Sequence, residues 1–326
     1  MLFLFKSNTN ILHFIAFLPL TFACLVNNYG TTSPHSNSTL QQRWFRKVAS
    51  WRWKDSTISY CFENDAARTA FKNMLPEAWG IWQTAGINKR LKFKEGYPNQ
   101  CTAGIDVLLI RVNHDREFAA TTGYFPRDNN DPTGPYLTLD PARAAEDKRT
   151  GVGDMAHEIG HAWGLEHEHQ RPDFWAFEPY RGRGEQLIEF NCNNLGDYDE
   201  MVRVHGQQHT DDVLCTSQIA ASEADTETPG KLGFSADQIL PILDRESELP
   251  PLGTEIDWDS IMMYAGNTCG KLLPNGMSAV VMAKAGDTTT LLPNIISPSP
   301  RDIANLLDMY RKSRDCDDRL IPEQFG

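Results

Sequence analysis

The chain has 326 residues, with 31 Lys and Arg against 43 Asp and Glu and a formal net charge of −12. That balance argues against a nucleic-acid reader, which needs basic patches for phosphate. The length suffices for one large domain with a substantial core.

Residues 1–23 carry one Lys and then an almost wholly apolar run from Ile11 to Ala23, ending Thr21-Phe22-Ala23. Small residues at the third and first positions before a cut suit a cleaved secretory leader. The competing reading is an uncleaved anchor, for which the run is short. No later segment is apolar enough to cross a bilayer, so no stable membrane association is expected. Residues 24–43 are rich in Asn, Ser and Thr and read as a disordered linker or a short pro-segment, with a glycosylation sequon at Asn37-Ser38-Thr39. Next, Arg43, Arg46, Lys47, Arg52 and Lys54 interleave with Trp44, Trp51 and Trp53. A partly solvated strand with aromatic packing, a polyanion or membrane contact, and a processing site are all open there.

Ser56 to Tyr60 is strand-like. A helical apolar pattern runs from Ala66 to Ala85 through Phe71, Leu75, Ala78 and Trp82, and Pro76 imposes a kink or a restart. Ile105 to Val112 and Tyr136 to Leu139 read as strands.

Residues 157 to 167 read His-Glu-Ile-Gly-His-Ala-Trp-Gly-Leu-Glu-His. His157 and His161 are four apart, so a helix places them on one face a turn apart. Two neutral imidazoles so placed can bind one Zn²⁺, with Glu158 beside them as general base. His167 reaches the same metal only if the chain turns, and Gly164 stands where a helix would end in a left-handed residue. Three protein ligands leave a fourth position for water, as in catalytic rather than structural zinc sites. The bare His-Glu-x-x-His arises by chance at roughly 1 in 8,000 positions, and requiring Gly164 and His167 cuts this by about 400 more. Val152, Met155, Ala156, Ile159 and Trp163 form the helix's core stripe, with Thr150 as a candidate cap and Asp154 favouring the first turn.

Residues 178–256 are long, polar and poorly patterned, and read as an insertion. After them comes Asp257-Trp258-Asp259-Ser260-Ile261-Met262-Met263-Tyr264, and later Ser299-Pro300-Arg301-Asp302 opens a helix with Ile303, Leu306, Leu307 and Tyr310 on one face. Of seven cysteines, Cys24 borders the leader; the other six suit three bridges in an oxidising compartment. Neighbour pairing (Cys61–Cys101, Cys192–Cys215, Cys269–Cys316) keeps each loop local, but fifteen pairings are possible and buried free thiols are the alternative. His114, His205 and His209 have no partner pattern and read as surface residues.

The zinc run followed by Ser-x-Met-x-Tyr resembles the metzincins and, within them, the astacin family of zinc endopeptidases. Glu168 after the third histidine and Tyr264 in the turn carry the narrower resemblance. It extends over roughly residues 44–316, with sharp motifs only in 157–172 and 257–264. It implies an α+β, two-lobed fold over residues 44–326. The upper lobe (about 44–166) would hold a twisted, mostly parallel mixed sheet and two long helices. The lower lobe (167–326) would be mostly irregular with a C-terminal helix, and one zinc would lie at the floor of the cleft. It also implies that His157, His161 and His167 hold the metal and that Glu158 is catalytic. Met262 would be an apolar floor, and Tyr264 a displaceable ligand that later stabilises the oxyanion. Glu168 would be buried against a processed N-terminus, Ala119 to Tyr124 would be an edge strand pairing with substrate, and His169 would lie behind the ligands or on the surface. The implied activity is hydrolysis of protein or peptide substrates by a secreted, extracellular enzyme. No Phe-x-Gly-Asp latency sequence occurs upstream of Trp44, and family cysteine positions after the first helix and ahead of the zinc helix lack Cys. A metzincin of another family and an inactive zinc-bound binding protein stay open.

Overall fold

A computed structural model describes residues 52–87, 89–103, 106–114, 118–126, 134–175, 186–242, 256–287 and 290–311. The expected leader, the 24–43 segment with its sequon, Trp44, Trp51 and Cys316 lie outside these.

The fold is α+β. Five strands form a mixed sheet: β1 (Thr57–Phe62), β2 (Lys92–Glu95), β3 (Leu108–Val112), β4 (Phe118–Ala120) and β5 (Tyr136–Leu139), in the order β2-β1-β3-β5-β4. All neighbours are parallel except β4, which runs antiparallel to β5 at the edge (Phe118 opposite Leu139, Ala120 opposite Leu137). The edge strand expected over Ala119 to Tyr124 is therefore short. Of the expected span only Ala119 and Ala120 are strand; beyond them the Gly123 amide donates to His161 O at 2.9 Å.

The pattern expected over Ala66–Ala85 is a restart rather than a kink. Helix α1 (Asp65–Phe71) is capped by Asn64 Oδ1, which accepts from the Ala67 amide, and α2 (Met74–Thr84) begins afresh. Pro76 falls in the first turn of α2, where a missing amide costs no intrahelical bond. Two short helices, α3 (Pro98–Ala103) and α4 (Pro141–Glu146), precede the long α5 (Lys148–Trp163). The cap of α5 is Asp147, not Thr150: its carboxylate accepts from the Arg149 amide and from Thr150 Oγ1. Asp154 accordingly lies in the second turn, where it pairs with Arg143 at 2.8 Å.

Helices α2 and α5 pack together over the sheet. Phe71, Leu75, Trp82, Ile58, Leu108, Leu137, Leu139, Met155, Ile159 and Trp163 are buried in one apolar core. Trp82 Nε1 donates to Ala156 O at 2.9 Å, and Trp79 stacks on Trp163. Burial of one such side chain contributes roughly 1.5–3 kcal/mol. Trp53 joins this core, its indole donating to Ala162 O at 2.7 Å, which favours packing over membrane contact for this residue.

The described residues of the 178–256 stretch are better ordered by packing than its polarity suggests. Its described part, 186–242, holds strand β6 (Ile188–Phe190) and helices α6 (Tyr198–His205), α7 (Gln207–His209) and α8 (Gln218–Ser222). Together with β7 (Met282–Lys284), which pairs with β6, it builds a second core from Phe174, Trp175, Ile188, Met201, Phe234, Ile239, Leu240, Met263, Val281 and Met282. The elements are too short for a helical or strand period to emerge from the sequence.

The last helix, α9 (Pro300–Met309), starts at the expected place with a complete capping box between Ser299 and Asp302. Its Ile303, Leu306 and Met309 enter the first core. Cys61–Cys101 and Cys192–Cys215 are bridged as expected; Cys269 is also disulfide-bonded. Among the described residues, no helix is long and apolar enough to cross a membrane.

Candidate metal centre

Helix α5 carries His157 and His161 on one face and stops in a left-handed residue, Gly164, at φ +107°. The Gly164 amide donates to His161 O at 2.7 Å and the Leu165 amide to Gly160 O at 3.0 Å, the paired bonds of a Schellman turn. This turn brings the chain back so that His167 faces the two helical imidazoles.

The three rings converge through their Nε2 atoms. His167 Nε2 lies 3.2 Å from that of His157 and 3.0 Å from that of His161. Each Nδ1 meets a group that can only accept: Ile261 O at 2.7 Å, Leu165 O at 2.8 Å and Gln170 Oε1 at 2.7 Å. The amide of Gln170 is oriented by its own NH₂ group, which donates to Asp237 O and Leu240 O at 3.0 Å each. Every Nδ1 therefore carries the hydrogen, and every Nε2 presents a lone pair to the other two. Three lone pairs at this distance repel unless a cation sits among them.

The spacing suits zinc. Bonds of about 2.0–2.1 Å in tetrahedral geometry separate the nitrogens by about 3.3–3.4 Å. Burial, aided by the neighbouring imidazole His161, pushes His157 down to about 3, and burial pushes His161 down to about 4. Burial also holds His167 well below its ordinary value. All three are thus neutral at neutral pH, the protonation state a metal requires. Among the described residues they are the one group of three or more His, Cys, Asp and Glu placed so that it could hold a metal ion.

Met262 and Tyr264 lie at the same place, and Glu158 follows His157 on the same helix. Glu158 is buried at 7% exposure on α5. Met262 is buried against Gly160 between the two helical histidines, so closely that a Cβ on Gly160 would fall 2.6 Å from Met262 Sδ. The turn around it is bonded to the site twice, through Ile261 O to His157 and through Met262 O, which accepts from the Glu168 amide at 3.0 Å. Asp302 of α9 holds the turn from behind, accepting from Ser260 Oγ at 2.7 Å and from the Ile261 amide at 2.9 Å. Tyr264 lies with its ring centroid 4.3 Å from that of His167 and 5.9 Å from that of His157. Burial first, and the charge of Glu158 second, raise its phenol well above the usual range and keep it protonated.

His169 is fully buried, which removes the surface alternative. It stacks on His167 and donates from Nε2 to Gln238 O at 2.9 Å. Glu168 is buried as expected, but its partners are Arg171 at 3.2 Å and the Asp257 amide at 3.1 Å. Burial pushes its carboxyl up to about 7 against the opposing pull of Arg171. The N-terminal contact implied for it falls on residues outside those described. Sequence reading missed Gln170 and Asp302. Asp302 was visible only as part of a helix start, and its grip on the Met262 turn spans 41 residues and has no local signal. His114 and His209 are exposed and His205 is half-buried on Asp225 O, away from any metal-binding group.

No protein-family model and no curated protein matches the sequence. Among solved structures, the chain is similar to high choriolytic enzyme 1, a hatching-enzyme zinc protease from Oryzias latipes (medaka fish). The TM-score is 0.47 and the identity 14%, over 83% of this chain and 98% of that one. It is also similar to two structures of myroilysin, both at 13% identity. Their TM-scores are 0.42 (82% of this chain, 98% of that one) and 0.39 (85% and 93%).

Proposed function

We propose that the protein is a secreted, astacin-like zinc endopeptidase acting on protein or peptide substrates. The observation that carries this reading is the convergence of three tautomerically fixed Nε2 lone pairs, two of them on the helix that also carries the buried Glu158. His157, His161 and His167 would hold the ion. When bound, zinc supplies a water of lowered pKa, toward ~7, and polarises the scissile carbonyl. Glu158 would take up a proton from the attacking water and deliver it to the leaving amine. Tyr264, kept protonated by its surroundings, donates a hydrogen bond to the oxyanion as it develops. The outer edge of β4 offers an extended substrate a strand to pair with, and the loop that follows it is tied to the histidine helix through Gly123 and His161. Disulfide-bonded Cys61–Cys101, Cys192–Cys215 and Cys269 support an oxidising compartment and hence secretion.

Glu158→Gln tests the assignment. The variant is expected to bind zinc like wild type while digestion of casein falls by about 10²–10⁴-fold. Most activity retained would overturn the role of Glu158. Zinc bound with no proteolysis by wild-type protein would instead favour the binding-protein reading.

A further inference from the structure

His157 and His161 are oriented by backbone carbonyls, but His167 is oriented by a side chain. That difference makes Gln170 the adjustable joint of the metal centre. Its Oε1 accepts from His167 Nδ1 at 2.7 Å, and both of its amide hydrogens go to carbonyls of a distant segment, Asp237 O and Leu240 O. The backbone is pinned on both sides, with the Gln170 amide on His167 O at 3.2 Å and the Ile242 amide on Gln170 O at 3.1 Å. The side chain is 4% exposed, so water cannot substitute for any of these partners. His169 adds a further bond to the same segment through Gln238 O.

We infer that Gln170 is a positioning residue that orients the third zinc ligand, and that through it residues 237–242 of the second core set the metal affinity. The inference rests on the zinc-peptidase reading above and assigns to that site a determinant outside its ligand set. The chemistry admits few alternatives. One side chain must accept from an imidazole N–H while donating to two carbonyls, which a planar primary amide does. Glutamate keeps the acceptor and loses the donors; methionine keeps the volume and loses both. Because Ile239 and Leu240 are fully buried, the carbonyls that hold the amide are fixed by packing.

These two substitutions separate orientation from mere stability. Zinc affinity would be measured by chelator competition on the purified full chain, alongside the melting temperature of the metal-free protein. Gln170→Met should lose about 10- to 100-fold in zinc affinity, the usual effect of removing a partner behind a ligating histidine. Gln170→Glu should regain much of that loss, because its carboxylate accepts from His167. Its metal-free form should nonetheless melt no higher than that of Gln170→Met, since the carboxylate faces two carbonyls. Higher zinc affinity in Gln170→Glu than in Gln170→Met, without a higher melting temperature, supports positioning. Equal affinity in Gln170→Met and wild type, or affinities that follow the melting order, would overturn it. If a metal-free variant does not fold, zinc release from the loaded protein after a chelator jump replaces the affinity measurement. Faster release from Gln170→Met than from Gln170→Glu supports the inference, and equal release refutes it. Wild-type protein that takes up no zinc would overturn the underlying reading of the site, an outcome distinct from either variant result.

Discussion

Replacing Gly164 with alanine or valine puts a side chain on a residue held at φ +107°. Such a backbone costs a non-glycine residue about 1–3 kcal/mol. For a domain of this size each kcal/mol lowers Tm by roughly 2–4 °C, so alanine should lower it by roughly 2–12 °C. Valine should do worse. A Cβ at this position already falls 3.2 Å from Met309 Sδ, and branching adds overpacking of about 1–3 kcal/mol. The chain could relieve the strain by turning to negative φ. It would then lose the Leu165–Gly160 bond and carry Leu165 O away from His161 Nδ1, now 2.8 Å off. That relaxation also re-aims His167, so stability is recovered at the expense of metal. Zinc per chain after dialysis and calorimetric melts, both run on wild type and the two variants, distinguish these routes. Alanine is expected to lower Tm with modest zinc loss, and valine to lower both. Wild-type zinc retention together with an unchanged Tm in the valine variant would refute the account of this turn.

Two other perturbations follow from buried carboxylates. Asp302→Ala removes a helix cap and leaves the Ile261 amide and Ser260 hydroxyl without their acceptor, a loss of roughly 2–4 kcal/mol in urea melts. An unchanged midpoint would show that the Met262 turn does not depend on α9. Asp237 is raised from 3.8 to about 7 by burial, so its contribution is present below the unfolded value and is lost as pH rises through about 7. The difference amounts to roughly 4 kcal/mol between acid and neutral conditions. Asp237→Asn should therefore gain stability over wild type as pH increases from about 4 to 8, and parallel curves would contradict the assignment.

What was legible in the sequence was whatever depends on short-range geometry. The i, i+4 histidines, the glycine that ends their helix and the Ser-Pro-x-Asp start of α9 each act within one or two turns, and all appear where the residues placed them. The strand Tyr136–Leu139 was readable because its burial period leaves a local trace, whereas the first two cysteine pairs follow the neighbour pairing that the sequence left as one of fifteen. Residue type also announced the chemistry, since three imidazoles with a carboxylate directly after the first have few other uses. The tertiary structure alone decided how those imidazoles are aimed. Their Nδ1 atoms are held by Ile261, Leu165 and Gln170, and the last of these is held in turn by carbonyls 67 and 70 residues away. Backbone carbonyls are the same at every residue, so no side-chain pattern can mark which of them will serve. The second core escaped sequence reading for a related reason: its elements are too short for a hydrophobic period to emerge before the chain turns.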